Sequence, residues 1–279
     1  MELTSDSAAY LAEVERLNLP ARTIAEVRSR YRRLCAQFAP PRLDVASVVD
    51  NYRSRLYANS DRAPVLVWFH GGRMISGDLE THDALCRQLV YHTGWRVLAV
   101  DYRLAPEHPC PAAFEDGAVA MRTACLLSPT VAVGGDSAGA ILAIDAARSG
   151  AAAMVLIYPM IDATLSCPSH AEFRTGPGPS SEDMQNGYDL WLPPGTDRRD
   201  PRISPLFLTN LAALPPAFIA VSGVDSLRDE GLQFAQKLSS PTIAFYEGEV
   251  HGFLTYAARF RAAVDVTERI AAFLRTAVP

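Results

Sequence analysis

The chain has 279 residues, a formal net charge of −5 and 49% hydrophobic side chains; this fits one sizeable core with a small added unit and excludes fibrous, low-complexity or strongly basic proteins. Lys237 is the single lysine, and apart from the run 28–33 the arginines are scattered, so no nucleic-acid surface is expected. Cys35, Cys86, Cys110, Cys125 and Cys167 are odd in number and form no C-x-x-C pair, as free thiols in a reducing compartment would. The chain's opening residues carry no basic start, and no run reaches the ~18 apolar residues of a membrane span, so a cytoplasmic protein is expected.

Two helix-period patterns open the chain, over 7–17 (Tyr10, Leu11, Val14, Leu17) and 23–38 (Ile24, Val27, Tyr31, Leu34, Phe38). Leu19-Pro20 separates them and Ala39-Pro40-Pro41 ends the second; the Arg28, Arg30, Arg32 and Arg33 cluster reads as a solvated helix face. Residues 45–58 are ambiguous and compatible with a hairpin. The run 63–70 reads as a buried strand ending in His70-Gly71-Gly72-Arg73, then a helix over 78–91 and a second buried strand over 95–101. A helix over 111–127 precedes the strand from Val131, which runs into Gly135-Asp136-Ser137-Ala138-Gly139 and an Ala-rich helix. A strand over 152–160 leads to a Pro/Gly/Ser-rich excursion over 161–204 with one short helix, 181–191. Strand 216–222, helix 227–238, strand 242–246 and helix 256–276 close the chain. Such alternation predicts an α/β fold with a mostly parallel sheet, helices on both faces, and a site beyond the carboxyl ends of its strands.

The G-x-S-x-G element carries the chemistry. A serine projecting from a sharp strand–helix turn needs nearly side-chain-free neighbours on both sides, which Gly135 and Gly139 provide. Ser137 then needs a base, and the base a carboxylate. His251 and Asp225 each follow a predicted strand, in the order Ser137, Asp225, His251. Among the other histidines, His82 and His92 are expected to be exposed on or beside a helix. His108 and His170 show no carboxylate partner, and His70 is read as bracing the glycine loop. Asp162 is the rival acid; Asp229 and Glu230 suit a helix's first turn. The backbone N–H groups of Gly72, Arg73 and Ala138 are the candidate oxyanion donors, with His70, Gly71 and Glu107 supporting the loop.

These residues, with Asp101-Tyr102-Arg103-Leu104-Ala105-Pro106-Glu107, Ala113-Phe114-Glu115-Asp116, Asp200-Pro201-Arg202-Ile203-Ser204-Pro205, Asp225-Ser226-Leu227-Arg228-Asp229-Glu230-Gly231 and Val250-His251-Gly252-Phe253, resemble the hormone-sensitive-lipase-like esterases of the α/β-hydrolase fold. The resemblance implies an eight-stranded sheet and a helical cap, formed by 1–45 and 162–199, over a core of 46–161 and 200–279. It further implies hydrolysis of short- to medium-chain carboxylic esters through an acyl-enzyme, with no metal or organic cofactor, and loop-supporting roles for Glu107, Asp101 and Asp116. Two departures stand out: Arg73 where a third glycine is usual, and Ala140-Ile141 after the motif. The Arg73 guanidinium is expected either to meet an anionic substrate or to face solvent or a neighbouring acid. The same triad could serve amide hydrolysis, acyl transfer or a cyclase or dehydratase step, and a non-catalytic binding module would require a broken triad. The partner is a small-molecule ester; a homodimer through the sheet edge or the last helix is left open.

Overall fold

The computed structural model describes residues 2–19 and 21–278. Helices α1 (Ser5–Leu17) and α2 (Ile24–Phe38) precede a hairpin of β1 (Ser47–Asn51) and β2 (Ser54–Ala58). Then follow β3 (Val65–Phe69), α3 (Leu79–Thr93), β4 (Arg96–Val100), α4 (Ala112–Leu127), β5 (Val131–Asp136), α5 (Gly139–Ala147) and β6 (Met154–Ile157). Helices α6 (Pro168–Glu172) and α7 (Ser181–Trp191) interrupt the alternation before β7 (Ala217–Val224), α8 (Arg228–Lys237), β8 (Thr242–Val250) and α9 (Arg261–Ala277).

The eight strands form one sheet in the order β1-β2-β4-β3-β5-β6-β7-β8. Pairing is antiparallel between β1 and β2 and between β2 and β4, and parallel from β4 through β8. Side-chain alternation divides the core by parity. Val65, Val67 and Phe69 of β3, with Val131 and Val133 of β5, point to the face covered by α4, α5 and α8. Leu66, Trp68, Ala132, Val155 and Phe218 point to the face covered by α3 and α9, against which α1 and α2 also pack. Every residue of β3, β4, β5 and β6 is buried, so these strands lack a polar face and can only lie mid-sheet. Burying each large apolar side chain contributes about 1.5–3 kcal/mol.

The ambiguous stretch forms the β1–β2 hairpin, with Arg53 in the turn at φ 53°. Several bounds differ from expectation: β6 spans Met154–Ile157 rather than 152–160, two further shifts have a visible cause, and one helix is added. β8 runs on to Val250 because the ladder slips between Ser222 and Val224, where Gly223 lets the Glu247 carbonyl approach: a Cβ there would lie 2.0 Å from it. The closing helix starts at Arg261 rather than 256, since the chain turns at Gly252 (φ 87°) and Asp6 accepts from the Arg261 backbone N–H at 3.0 Å. The excursion holds a second helix, α6, whose five residues are too few to show a period. No described helix is long and apolar enough to cross a membrane.

Candidate active site

Ser137 sits between β5 and α5 at φ 53°, a left-handed conformation that costs a non-glycine residue about 1–2 kcal/mol. Its backbone holds it there: Ser137 N donates to Ile157 O at 2.9 Å, and Ser137 O accepts from Ala140 N and Met160 N at 3.0 and 3.1 Å. A Cβ on Gly139 would lie 2.0 Å from the Phe69 carbonyl, so the turn closes only over glycine. His251 follows the last residue of β8, and Asp225 the last residue of β7. His251 Nδ1 donates to Asp225 Oδ2 at 2.7 Å, and Ser137 Oγ donates to His251 Nε2 at 3.0 Å. Asp225 Oδ1 accepts from Leu227 N at 3.0 Å, which fixes the carboxylate plane. All three side chains are buried or nearly so.

The loop after β3 supplies the other wall. Gly72 has φ 127°, and Arg73 and Met74 follow at 58° and 63°. Two successive non-glycine residues in this region are strained by roughly 1–3 kcal/mol each, and four contacts hold them. Gly72 O accepts from Ile75 N and Ser76 N at 3.1 and 3.0 Å, Met74 O from Ala105 N at 2.9 Å, and Ile75 O from Arg28 Nε at 2.8 Å. Among the described residues the N–H groups of Gly72, Arg73 and Ala138 donate to no protein acceptor. A Cβ on Gly71 would lie 2.5 Å from Asp136 Oδ2, so this loop presses directly on the nucleophile turn.

His70 stacks on Tyr102 at 4.2 Å, its Nδ1 donates to Gly71 O at 2.8 Å, and Tyr102 Oη donates to His70 O at 2.7 Å. Burial, with His82 adding to it, pulls the His70 imidazole down to about 4, so it is neutral at pH 7. Glu107 receives Arg28 at 2.9 and 2.6 Å, which brings its carboxyl down to about 2. Asp116 accepts from Arg103 N and Nε at 2.8 and 2.9 Å; Asp101 is half-buried, and burial raises its carboxyl. The rival acid, Asp162, instead accepts from the backbone and hydroxyls of Thr164 and Ser166, closing its own loop.

Several proteins of known activity resemble this chain. A family model described as alpha/beta hydrolase fold matches residues 66–255. The chain is 38% identical to the carboxylic ester hydrolase LipN of Mycobacterium tuberculosis over 83% of this chain and 70% of that one. It is 36% identical to the esterase LipI of the same organism, over 88% and 86%. The chain belongs to the hormone-sensitive-lipase-like esterases of the α/β-hydrolase fold. A solved ester-hydrolase from the metagenome of Lake Arreo, complexed with a derivative of bipyridine phosphonate, superimposes with a TM-score of 0.91 at 30% identity, covering 97% of each chain.

Within this esterase frame several side chains differ from expectation. His82 is 1% exposed, not solvated: its Nε2 lies 3.2 Å from Asp136 Oδ1. Asp136 also accepts from Trp68 Nε1 and Thr255 Oγ1, both at 3.3 Å. Burial alone would raise the Asp136 carboxyl, but His82 beside it holds it below its ordinary value. The signal was present in the spacing, since His82 shares a helix face with Leu79, Cys86 and Leu89. His170 is buried and its Nε2 lies 4.0 Å from Glu230 Oε2. Burial pushes the Glu230 carboxyl up to about 8. Burial opposes a charge on His170, yet Glu230 draws its imidazole upward. Arg28 does not face solvent but grips Glu107, whereas Arg32 is exposed, as expected, while its Nε meets Asp78 at 2.7 Å. Arg73, by contrast, takes one of its expected positions, against a neighbouring acid: its Nη1 donates to Asp183 Oδ1 of α7 at 3.0 Å. Among the described residues no three His, Cys, Asp or Glu side chains gather as metal ligands would.

A cavity of about 180 Å³ opens over Ser137 and His251. Its walls come from α1 (Tyr10, Leu11, Val14), α2 (Val27, Arg30, Tyr31, Leu34) and α7 (Asp183).

Proposed function

We propose that the chain is a serine carboxylesterase in which Ser137 is the nucleophile, His251 the general base and acid, and Asp225 the carboxylate that orients and stabilises the imidazole. The observation that carries this reading is the unbroken relay from hydroxyl to imidazole to carboxylate, at 3.0 and 2.7 Å. With Nδ1–H committed to Asp225, Nε2 is the free base, and it takes the Ser137 proton as Oγ attacks the ester carbonyl. The oxyanion that forms meets the N–H groups of Gly72, Arg73 and Ala138, each worth about 3 kcal/mol of barrier. His251 then protonates the departing alcohol, and water repeats the cycle on the acyl-enzyme. His70, Gly71 and Glu107 act on the loop rather than on the substrate.

In this reading α1 and α2 (with the rest of 1–45) and the insertion 162–199 form the cap over the core of 46–161 and 200–279. The apolar cavity beneath them suits short and medium acyl chains. Among the described residues the cysteines are all free, in keeping with a cytoplasmic protein. A second copy would dock along the open edge of β8, where Ile243 and Phe245 are exposed.

Ser137→Ala should lower kcat on a chromogenic butyrate ester about 10⁴-fold or more and abolish labelling by a fluorophosphonate probe. A purified, folded variant that still turned over ester at the parent rate would remove Ser137 from the mechanism.

A further inference from the structure

Two guanidinium groups belong to residues lining the cavity over Ser137, and they differ in what they already hold. Arg73 is matched by Asp183, which is itself further occupied by Ser180 N and Oγ at 3.0 and 2.9 Å. The cavity's other carboxylate, Asp136, is taken by His82, Trp68 and Thr255. Arg30 has no counterpart. The arginines two positions to either side of it on α2 are both paired, Arg28 with Glu107 and Arg32 with Asp78. Among the described residues no carboxylate forms an ion pair with Arg30, and no carbonyl accepts from it. The side chain is only partly exposed, among the apolar and aromatic groups Tyr10, Val27, Tyr31 and Leu34. Its charge reaches the Tyr10 hydroxyl, where it opposes the upward push of burial.

A partly desolvated cation without a counter-charge is an unfavourable thing to keep on an apolar wall, unless a ligand supplies that charge. A planar guanidinium matches a carboxylate with two parallel N–H···O bonds. The catalytic groups beneath would take an ester whether or not it carried an anion, so the charge would act on selectivity rather than on the chemistry. We propose that Arg30 makes the cavity selective for esters that carry a carboxylate at the end of the arm running toward α2. This rests on the serine-esterase reading and narrows it to a substrate class: half-esters of dicarboxylic acids, or esters of hydroxy acids. Arg73, the residue singled out by its place in the motif, is not the selector, because Asp183 already neutralises it.

The experiment compares matched pairs of esters of equal chain length, one ending in methyl and one in carboxylate. One set carries the end group on the acyl arm and the other on the alcohol arm. The parent enzyme should favour the carboxylate partner in one set. Arg30→Gln should lower kcat/KM for that ester about tenfold or more, mainly through KM, and change the methyl partner about twofold at most. Arg30→Lys should restore part of the preference, and added salt should weaken it in the parent but not in Arg30→Gln. Arg33→Gln, on the exposed side of the same helix, should change neither substrate. If Arg30→Gln slowed both partners equally, Arg30 would be a packing residue and the proposal would fail. It would fail too if the parent turned over the methyl esters but showed no preference in either set, and the esterase reading would then still stand. A parent inactive on every ester would instead overturn the esterase reading itself.

Discussion

Around the sheet rim every buried polar atom of the triad has a partner, whereas beneath α6 and α7 a cluster of them has none. Both His251 nitrogens are bonded, and Asp136 accepts from three side chains. By contrast, among the described residues, Glu230 Oε1 and Oε2, His170 Nε2, Tyr188 Oη and Trp191 Nε1 are buried with no hydrogen-bonding partner, a state that only His70 Nε2 shares near the triad. A satisfied network is rigid, and acyl transfer needs one geometry held to a fraction of an ångström. An unsatisfied one costs about 1–3 kcal/mol per group and lowers the free energy of local opening. The triad therefore sits in the better-satisfied region, and α6 and α7 lie over the less satisfied one.

The contrast breaks most sharply at the acid. Asp225→Asn should leave the fold intact but hold His251 in the wrong tautomer, lowering kcat about 10³–10⁴-fold with little change in thermal midpoint. A loss below tenfold would mean that another carboxylate orients the ring. Next comes the seam between the two regions. A Cβ on Gly187 of α7 would lie 2.9 Å from Arg73 Cβ and 3.0 Å from Arg73 O. Gly187→Ala should push α7 away from the oxyanion loop, costing about 1–3 kcal/mol of stability and roughly tenfold to a hundredfold in kcat. Unchanged kinetics in this variant would show the seam to be compliant.

The softer region can be probed by pH. Glu230 ionises near 4.5 when unfolded and near 8 when folded, because burial disfavours its charge. Between those values the folded state holds the extra proton, so this group's contribution to stability falls as pH rises. His170, whose folded value is raised, contributes stability that is present below its unfolded value and fades as pH rises through the folded one. Glu230→Gln should therefore flatten the decline of thermal midpoint from pH 5 to pH 8, and an unaltered slope would place the titration elsewhere. The smallest effect belongs to Asp183→Asn. Asp183 is 47% exposed, so its pair with Arg73 is worth less than about 1 kcal/mol. A larger loss in a denaturant titration would make this pair the main fastening of α7.

The fold and the meeting of Ser137, Asp225 and His251 were legible because each of these residues follows a strand end that its own local pattern marks. Only glycine fits beside Phe69 O at position 139, and fully apolar runs such as β3 can only be central strands. What stayed hidden depends on meetings between distant segments. His82 and Asp136 are 54 positions apart, and α7 and β7 separate His170 from Glu230. Helical spacing marks such a residue as inward-facing, but not what it faces. The Arg28–Arg33 run shows the same limit: its members look alike in sequence, yet two bind loops, one faces the cavity and one faces solvent.

The start of the chain is fastened to β8, which ends one residue before His251. Thr4 Oγ1 and Ser7 Oγ both donate to Glu249 Oε2, at 3.0 and 2.7 Å, and Val250 N donates to Ser7 Oγ at 3.1 Å, one position before His251. Helix α1 is thus a wall of the cavity over Ser137 and also a brace for His251. Trimming or grafting this front end to widen the range of accepted esters would disturb turnover along with selectivity, so redesign is better aimed at single side chains facing the cavity than at the segment as a whole.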